Sequence, residues 1–231
     1  MLMALKDGNG DNKFQQKTDQ IAFHKNFIEV PTDSSYTLRL FSEAPDFKAT
    51  RPKLMSGEKI AFGYEGEYKG MSIKILSDTP EDFDYRITKE KDTDSLLYWY
   101  KPKMEVDSLI FKVTHPTLEE DFTVRIREQE KDSLLIYANP DNSIGIEDPF
   151  EISGNTPFVS FDNSKVSIMD KDSTDVAFTS KFDTITNTYA LNFDKTEENA
   201  YKIQLLSEAF VDFFDDKSDS LSYSLSTIKA S

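Results

Sequence analysis

The sequence contains no cysteine. Disulfide frameworks, thiol nucleophiles and zinc ribbons are excluded, while the compartment stays open. There are two histidines, His24 and His115, and they form no histidine-rich metal cluster. No run of about 18 apolar residues is present, so no segment reads as a membrane-spanning helix. A Gly-x-Ser-x-Gly elbow, a His-Glu-x-x-His pair and a Gly-x-x-x-x-Gly-Lys phosphate loop are all missing. Positive charge is scarce: 27 Lys and Arg stand against 42 Asp and Glu, a formal net charge of -15. Such a chain is repelled by the phosphates of nucleic acid and by an anionic membrane surface. The opening MLMALKDGNG lacks the basic and apolar regions of a signal peptide. It reads as a strand already under way, and an upstream continuation is expected.

What the chain has is alternation. Apolar residues fall at every second position in YTLRLF (36–41), MSIKIL (71–76), FTVRIR (122–127), YALNF (189–193) and YKIQLL (201–206). Successive side chains of a strand point to opposite faces, so this period places one face in a core and the other in water. Turn-rich stretches such as SDTPEDFD, KEKDTD, THPTLEED and ANPDNS separate the runs every ten residues or so. Asp-Ser-Leu recurs at 94–96, 107–109, 132–134 and 219–221, each time ahead of an alternating run, and reads as a turn that feeds a strand. Short strands at this spacing predict an all-β chain of tandem β-sandwiches. GYEGEYKG (63–70) reads as a hairpin turn. SEAFVDFFDD (207–216) has apolar residues at Ala209, Phe210, Phe213 and Phe214, which fits either a short helical turn or a loop with buried aromatics.

EAPDFKATRPK (43–53), with two prolines, reads as a linker, and REQEKD (127–132) as a charged break. The boundaries that follow are a β segment over 1–43 with two or three strands, a β-sandwich over 44–130 and a second over 131–231.

In the last of these, YANPDNSIGIEDPFEISGNTPF (137–158) sets out a Pro-containing turn, a strand and Phe-x-Ile-x-x-Asn-x-Pro-Phe. SKVSIMDKDSTDVAF (164–178) and AYKIQLLSEAFVDFFDDKSDSLSYSLST (200–227) complete the pattern. It resembles the SbsA-type Ig-like fold of bacterial surface-layer and cell-surface proteins. Nearly the whole chain resembles the C-terminal portion of Bacteroidota Ig-like domain-containing lipoproteins, with MLMALKDGNGDNKFQQKTDQIAF matching the Asp-rich hairpin of their transthyretin-like (carboxypeptidase-regulatory-like) sandwich. The resemblance implies tandem Ig-like and transthyretin-like sandwiches. It also implies a cell-surface or periplasmic place, with outer-membrane anchoring through an upstream lipid-anchor cysteine, and protein partners at the cell envelope. It carries over no activity, and a non-enzymatic structural or interaction role is expected, without direct membrane insertion of this segment.

Two stretches are candidate sites. In LKDGNGDNKFQQKTD, Asp7, Asn9 and Asp11 occupy positions one, three and five of a calcium loop, and Lys13 offers its carbonyl at position seven. Asn12 stands where glycine is usual, and tolerates positive φ. The bidentate acid expected at position twelve is replaced by Thr18, with Asp19 one place late. The alternative is a metal-free turn in which Asp and Asn bond their own backbone. In LLYWYK (96–101), Tyr98 and Tyr100 share one face, and Leu97, Trp99 and Lys101 the other. Exposed rings here would stack on sugars or a partner; the competing reading is core packing. A calcium- or carbohydrate-binding module is thus the alternative function. The acidic clusters, DFFDD (212–216) among them, read as solvated turns.

Overall fold

The computed structural model describes residues 1–16 and 18–227. Strands β1 (Met3–Lys6) and β2 (Gln20–Phe23) pair as an antiparallel hairpin around the Asp-rich loop. A first set of strands follows: β3 (Lys48–Ala49), β4 (Lys53–Leu54), β5 (Lys59–Glu65), β6 (Ser72–Ile75), β7 (Asp84–Lys89), β8 (Ser95–Lys101), β9 (Ser108–His115) and β10 (Leu118–Arg125). The second set begins with β11 (Ile136–Asn139), β12 (Ser143–Ile144), β13 (Phe150–Gly154), β14 (Phe158–Phe161), β15 (Val166–Asp170) and β16 (Phe178–Asp183). It ends with β17 (Thr188–Phe193), β18 (Ala200–Leu205), β19 (Phe210–Asp212) and β20 (Leu221–Thr227). Ser95, Ser108 and Leu221 of the recurring Asp-Ser-Leu phrase open β8, β9 and β20. Among the described residues the one helical element is a 3-10 turn, Asn163–Lys165, capped by the Asp162 carboxylate, which accepts the Ser164 N–H.

Strand order identifies both sandwiches. The first has sheets β3-β5-β8-β7, with β4 also paired to β5, and β10-β9-β6; the second has β11-β13-β17-β16 and β12-β20-β18-β15. Lettered A to G along the chain, each reads A-B-E-D in one sheet and G-F-C in the other, the immunoglobulin arrangement. In the second sandwich β12 is a further piece of strand A that runs parallel to β20. The loops between B and C and between F and G add a two-stranded ribbon, β14-β19. The chain is therefore all-β and built of Ig-like sandwiches.

The second sandwich closes around Phe150, Ile152, Tyr189 and Leu191 from one sheet, with Ile168, Tyr201, Ile203 and Leu225 from the other. These are alternate residues of β13, β17, β15, β18 and β20, as period two requires. Each buried side chain of this size contributes roughly 1.5–3 kcal/mol.

By proximity the chain falls into two compact units. One holds Met1–Thr50, Tyr64–Lys74 and Lys112–Asp121; the other holds Arg51–Gly63, Ile75–Phe111 and the chain from Phe122 onward. In the first unit the opening 43 residues bury little: among those described, only Asp19 and Ala22 are enclosed. YTLRLF does not form the expected strand. It makes one isolated bridge, Ile21 with Phe41, through two 2.9 Å backbone hydrogen bonds. Alternation supplies a face, but a strand also needs a partner for every backbone group, and among the described residues only Phe41 is paired in this way. Elsewhere in this unit Phe47 stacks on the His115 ring at 3.8 Å. Gly66 takes φ +83, and a side chain there would lie 2.6 Å from the Pro45 carbonyl oxygen. The stretch 63–70 is not a hairpin turn, since β5 and β6, which it joins, belong to different sheets.

Candidate functional site

Within the second unit the most heavily built region is the joint where the second sandwich meets strand β8 of the first. The β8 segment SLLYWYK is buried over its five central residues. A strand covered on both faces carries no polar alternation, and this one reads so. Inside the first sandwich, Tyr98 meets Phe62 at 6.2 Å and Phe111 at 5.1 Å and stacks on Tyr85 at 5.0 Å. Burial raises the pKa of Tyr98 and pushes that of Tyr100 up to about 12. On the opposite face Leu97 and Trp99 cluster with Phe213, and Ala61 and Phe214 pack alongside. The Trp99 indole N–H donates to Thr88 Oγ1 at 2.9 Å. The two faces divide the side chains as the sequence suggests, but Tyr98, Trp99 and Tyr100 are all enclosed. Of the two readings of this stretch, core packing is the one found, and the interaction surface suggested for Tyr98, Trp99 and Tyr100 is corrected: none of the three is exposed, because a turn more than a hundred residues downstream covers the outer one.

That turn lies between β19 and β20. Asp212 is wholly buried, and its Oδ1 accepts the N–H groups of Phe214 at 2.9 Å and Asp216 at 2.8 Å. The Phe213 N–H donates to the Pro157 carbonyl at 2.7 Å. The segment 207–216 is therefore a short strand and a tight turn rather than a helical turn, and Asp212 is a buried turn anchor rather than a solvated acid. The fold of this turn brings the adjacent rings Phe213 and Phe214 to the joint.

Cations surround the plug. Lys59 Nζ lies 4.7 Å from the Trp99 ring centre, Arg86 and Lys101 lie 5.3 and 5.0 Å from that of Phe213, and Lys131 lies 4.4 Å from that of Phe214. Each such contact contributes about 0.5–1 kcal/mol where water has access. Asp215 and Asp216 pair with Lys101 at 3.2 Å and Lys131 at 3.1 Å. Asp132 accepts from the Ser56 hydroxyl and, at 3.2 Å, from Lys59. The Ser56 hydrogen bond is the main reason its carboxyl stays below the ordinary value of 3.8, with Lys59 adding to it. Lys89 N–H donates to the Ile185 carbonyl at 2.6 Å, so the β16–β17 turn also takes part. A local reading of the sequence marks β8 and the Phe213–Phe214 pair, but neither their meeting nor the cations around them. The available signals were the unbroken apolar run of β8 and a Phe-Phe pair inside an acidic turn.

The opening loop is wound on its own carboxylates. Asp7 Oδ1 accepts the N–H groups of Asn9 and Gly10 at 3.1 and 2.7 Å, and Oδ2 that of Asn12 at 2.6 Å. Asp11 accepts from Lys13 N–H at 2.8 Å, and Asn9 Oδ1 from Asp11 N–H at 3.1 Å. Asp19, enclosed, ties the loop's ends by accepting from Gly8 and Gln15 N–H at 2.9 Å each. Backbone donors hold both carboxyls below their ordinary values, Asn12 foremost for Asp7 and Gly8 for Asp19. Asn12 has φ 60. Among the described residues, no group of three or more His, Cys, Asp or Glu side chains is arranged to hold a metal ion. His24 Nδ1 lies 2.9 Å from the Asn26 carbonyl and His115 Nδ1 2.9 Å from Thr117 Oγ1. No described helix is long and apolar enough to cross a membrane.

No family model matches the sequence, and no curated protein matches it. Solved structures similar to the chain include domains 4–9 of the surface-layer protein SbsC, at 10% identity and a TM-score of 0.32, covering 91% of this chain and 35% of that one. Domains 5–6 of SbsC align at 12% identity and 0.28, over 81% and 98% of the two chains. The Bacteroides ovatus surface glycan-binding protein SGBP-B, solved with a mixed-linkage heptasaccharide, aligns at 12% and 0.26, over 87% and 57%. The chain thus spans about a third of the first of these structures.

Proposed function

We propose that this chain is a non-enzymatic spacing and docking segment of a bacterial cell-surface or periplasmic protein, working by holding sandwich domains at fixed separations. The observation that carries this reading is the Phe213–Phe214 joint. An apolar plug, the Arg86 and Lys101 cations that face the Phe213 ring and the Lys101–Asp215 ion pair tie the second sandwich to the first, where a simple tether would leave it swinging. A flexible linker needs none of these contacts. The sequence resemblance to surface lipoproteins supports the cell-envelope setting, with protein partners there.

The absence of cysteine makes the test direct. Asp78→Cys and Lys202→Cys place one spin label on each sandwich, and pulsed electron resonance reads the distance between them. A single narrow distribution is expected. A broad one, unchanged by Phe213→Ala with Phe214→Ala, would overturn the spacer reading.

A second reading, a calcium-binding module, is favoured by one observation: Asn12 adopts positive φ at the loop position where calcium sites require it. A calorimetric melt with excess calcium, repeated with EDTA, separates the two readings. The calcium module requires an upward shift that Asp7→Ala with Asp11→Ala removes. Superimposable curves leave the loop a self-bonded turn.

A further inference from the structure

One turn of the second sandwich touches both of its attachments to the first. Strands β16 and β17 are joined by residues 184–187, and the turn closes on Asn187, buried and at φ 52. Asparagine tolerates that left-handed conformation, which most residues avoid. Asp183 winds the other end, its Oδ1 accepting the N–H groups of Ile185 at 2.8 Å and Thr186 at 3.0 Å. Between them the Ile185 carbonyl accepts the Lys89 N–H of β7 at 2.6 Å.

The Asn187 side chain uses both donors and its acceptor. Its amide donates to the Gly154 carbonyl at 3.0 Å and the Thr156 carbonyl at 2.8 Å, and its Oδ1 accepts the Phe158 N–H at 2.8 Å. These bonds fix the bend between β13 and β14. The same bend holds the plug: Phe158 pairs with Asp212, and the Pro157 carbonyl accepts the Phe213 N–H at 2.7 Å. Glycine at 187 would keep the backbone conformation and lose all three bonds; aspartate would keep the acceptor and lose both donors.

We infer that the β16–β17 turn positions the joint, with Asn187 as the residue that ties its two attachments together. On one side the turn reaches β7 through the Ile185 carbonyl. On the other it holds the bend to which Phe213 is bonded. The landing points on the first sandwich are neighbours as well: Thr88, next to Lys89, accepts the Trp99 indole N–H at 2.9 Å, and Trp99 is the ring that the plug covers. Apolar contact is non-directional, whereas hydrogen bonds have a preferred line. The turn therefore supplies the orientation that the Phe213–Phe214 plug cannot set by itself. This inference rests on the spacer reading and names the element that fixes its geometry.

Spin labels at Asp78→Cys and Lys202→Cys on the whole chain test it by pulsed electron resonance. Asn187→Gly should broaden the distance distribution and move Trp99 emission to the red, with the far-ultraviolet spectrum unaltered. Ile203→Val, which loosens the buried core of the same sandwich away from the turn, should lower the melting temperature and leave the distribution narrow. Lys89→Pro removes the N–H that meets Ile185 from an edge strand, where proline is tolerated. It should broaden the distribution without touching the second sandwich, and it decides the question if Asn187→Gly does not fold. A parent distribution that is narrow and stays narrow in Asn187→Gly and Lys89→Pro overturns this inference and leaves the spacer reading standing. Equal broadening by Ile203→Val overturns it too, since any loss of stability would then suffice. A broad distribution in the parent, unchanged by the Phe213 and Phe214 replacements, overturns both.

Discussion

In the last sandwich Phe210 meets Phe158 at 4.8 Å and Tyr189 at 5.2 Å inside a closed core; in the opening segment Phe23 meets Phe41 at the surface. The two regions use the same residues, the same alternation and the same acidic turns. The difference is closure. Eight of the last domain's strands form two sheets whose apolar inner faces meet, whereas two strands and a bridge make one face of a layer. A hairpin of that size has little stability of its own. Where water keeps its access to aromatic rings, the ordering of the chain is not repaid by burial, and alternation fails to become a strand.

The sharpest way to break this comparison is to remove one ring from the closed core. Phe210→Ala should cost about 3–5 kcal/mol in urea unfolding, the usual range for a buried Phe. A loss below about 1 kcal/mol would mean that the core is not closed as described. Next comes the joint. Phe213→Ala should cost about 3 kcal/mol and separate the melting of the two sandwiches, with Trp99 fluorescence moving to the red as its cover is lost. One unchanged transition with unshifted emission would show that the plug does not couple them.

Smaller again is Asp132→Asn. Because the folded carboxyl is held below the ordinary value of 3.8, its contribution is complete above that value and disappears as pH falls through the lower folded one. The side chain is well exposed, so the difference between parent and variant should be under about 1 kcal/mol at pH 7 and vanish as pH falls through the lowered folded value. A difference that grows toward acid would reverse the assignment. The smallest effect belongs to the opening segment, where Phe27, almost fully exposed, should tolerate replacement by Ala within about 0.5 kcal/mol in the same urea titration.

Much of the architecture is legible along the chain because period two and turn chemistry are local. YALNF lies within β17, YKIQLL within β18 as far as Leu205, and the Asp-Ser-Leu phrases lead into strands. What local reading misses is what depends on distant chain. LLYWYK shows that both its faces are apolar, but not that Phe213 and Phe214 cover one of them. DFFDD shows acids in a turn, but not that Asp212 turns inward to hold its backbone while Asp215 and Asp216 reach Lys101 and Lys131. YTLRLF carries the alternation of a strand, and nothing within those six residues records that a single neighbour is available for pairing. The opening loop falls between: the bonds of Asp7, Asn9 and Asp11 to their own backbone follow from their spacing, whereas the tie that Asp19 makes across the loop's ends does not.

The parallel pairing of β12 with β20 has a mechanical consequence. Ser143 and Ile144 lie beside Ser226 and Thr227, running the same way, with the Ser226 N–H donating to the Asn142 carbonyl at 2.9 Å. Tension that draws the chain before β12 and the chain after β20 apart pulls these two strands in opposite directions along their shared axis. The hydrogen bonds between them are then loaded together in shear, instead of opening one after another like a zipper. A domain stitched this way yields to a pull along the chain only when the whole short ladder gives at once.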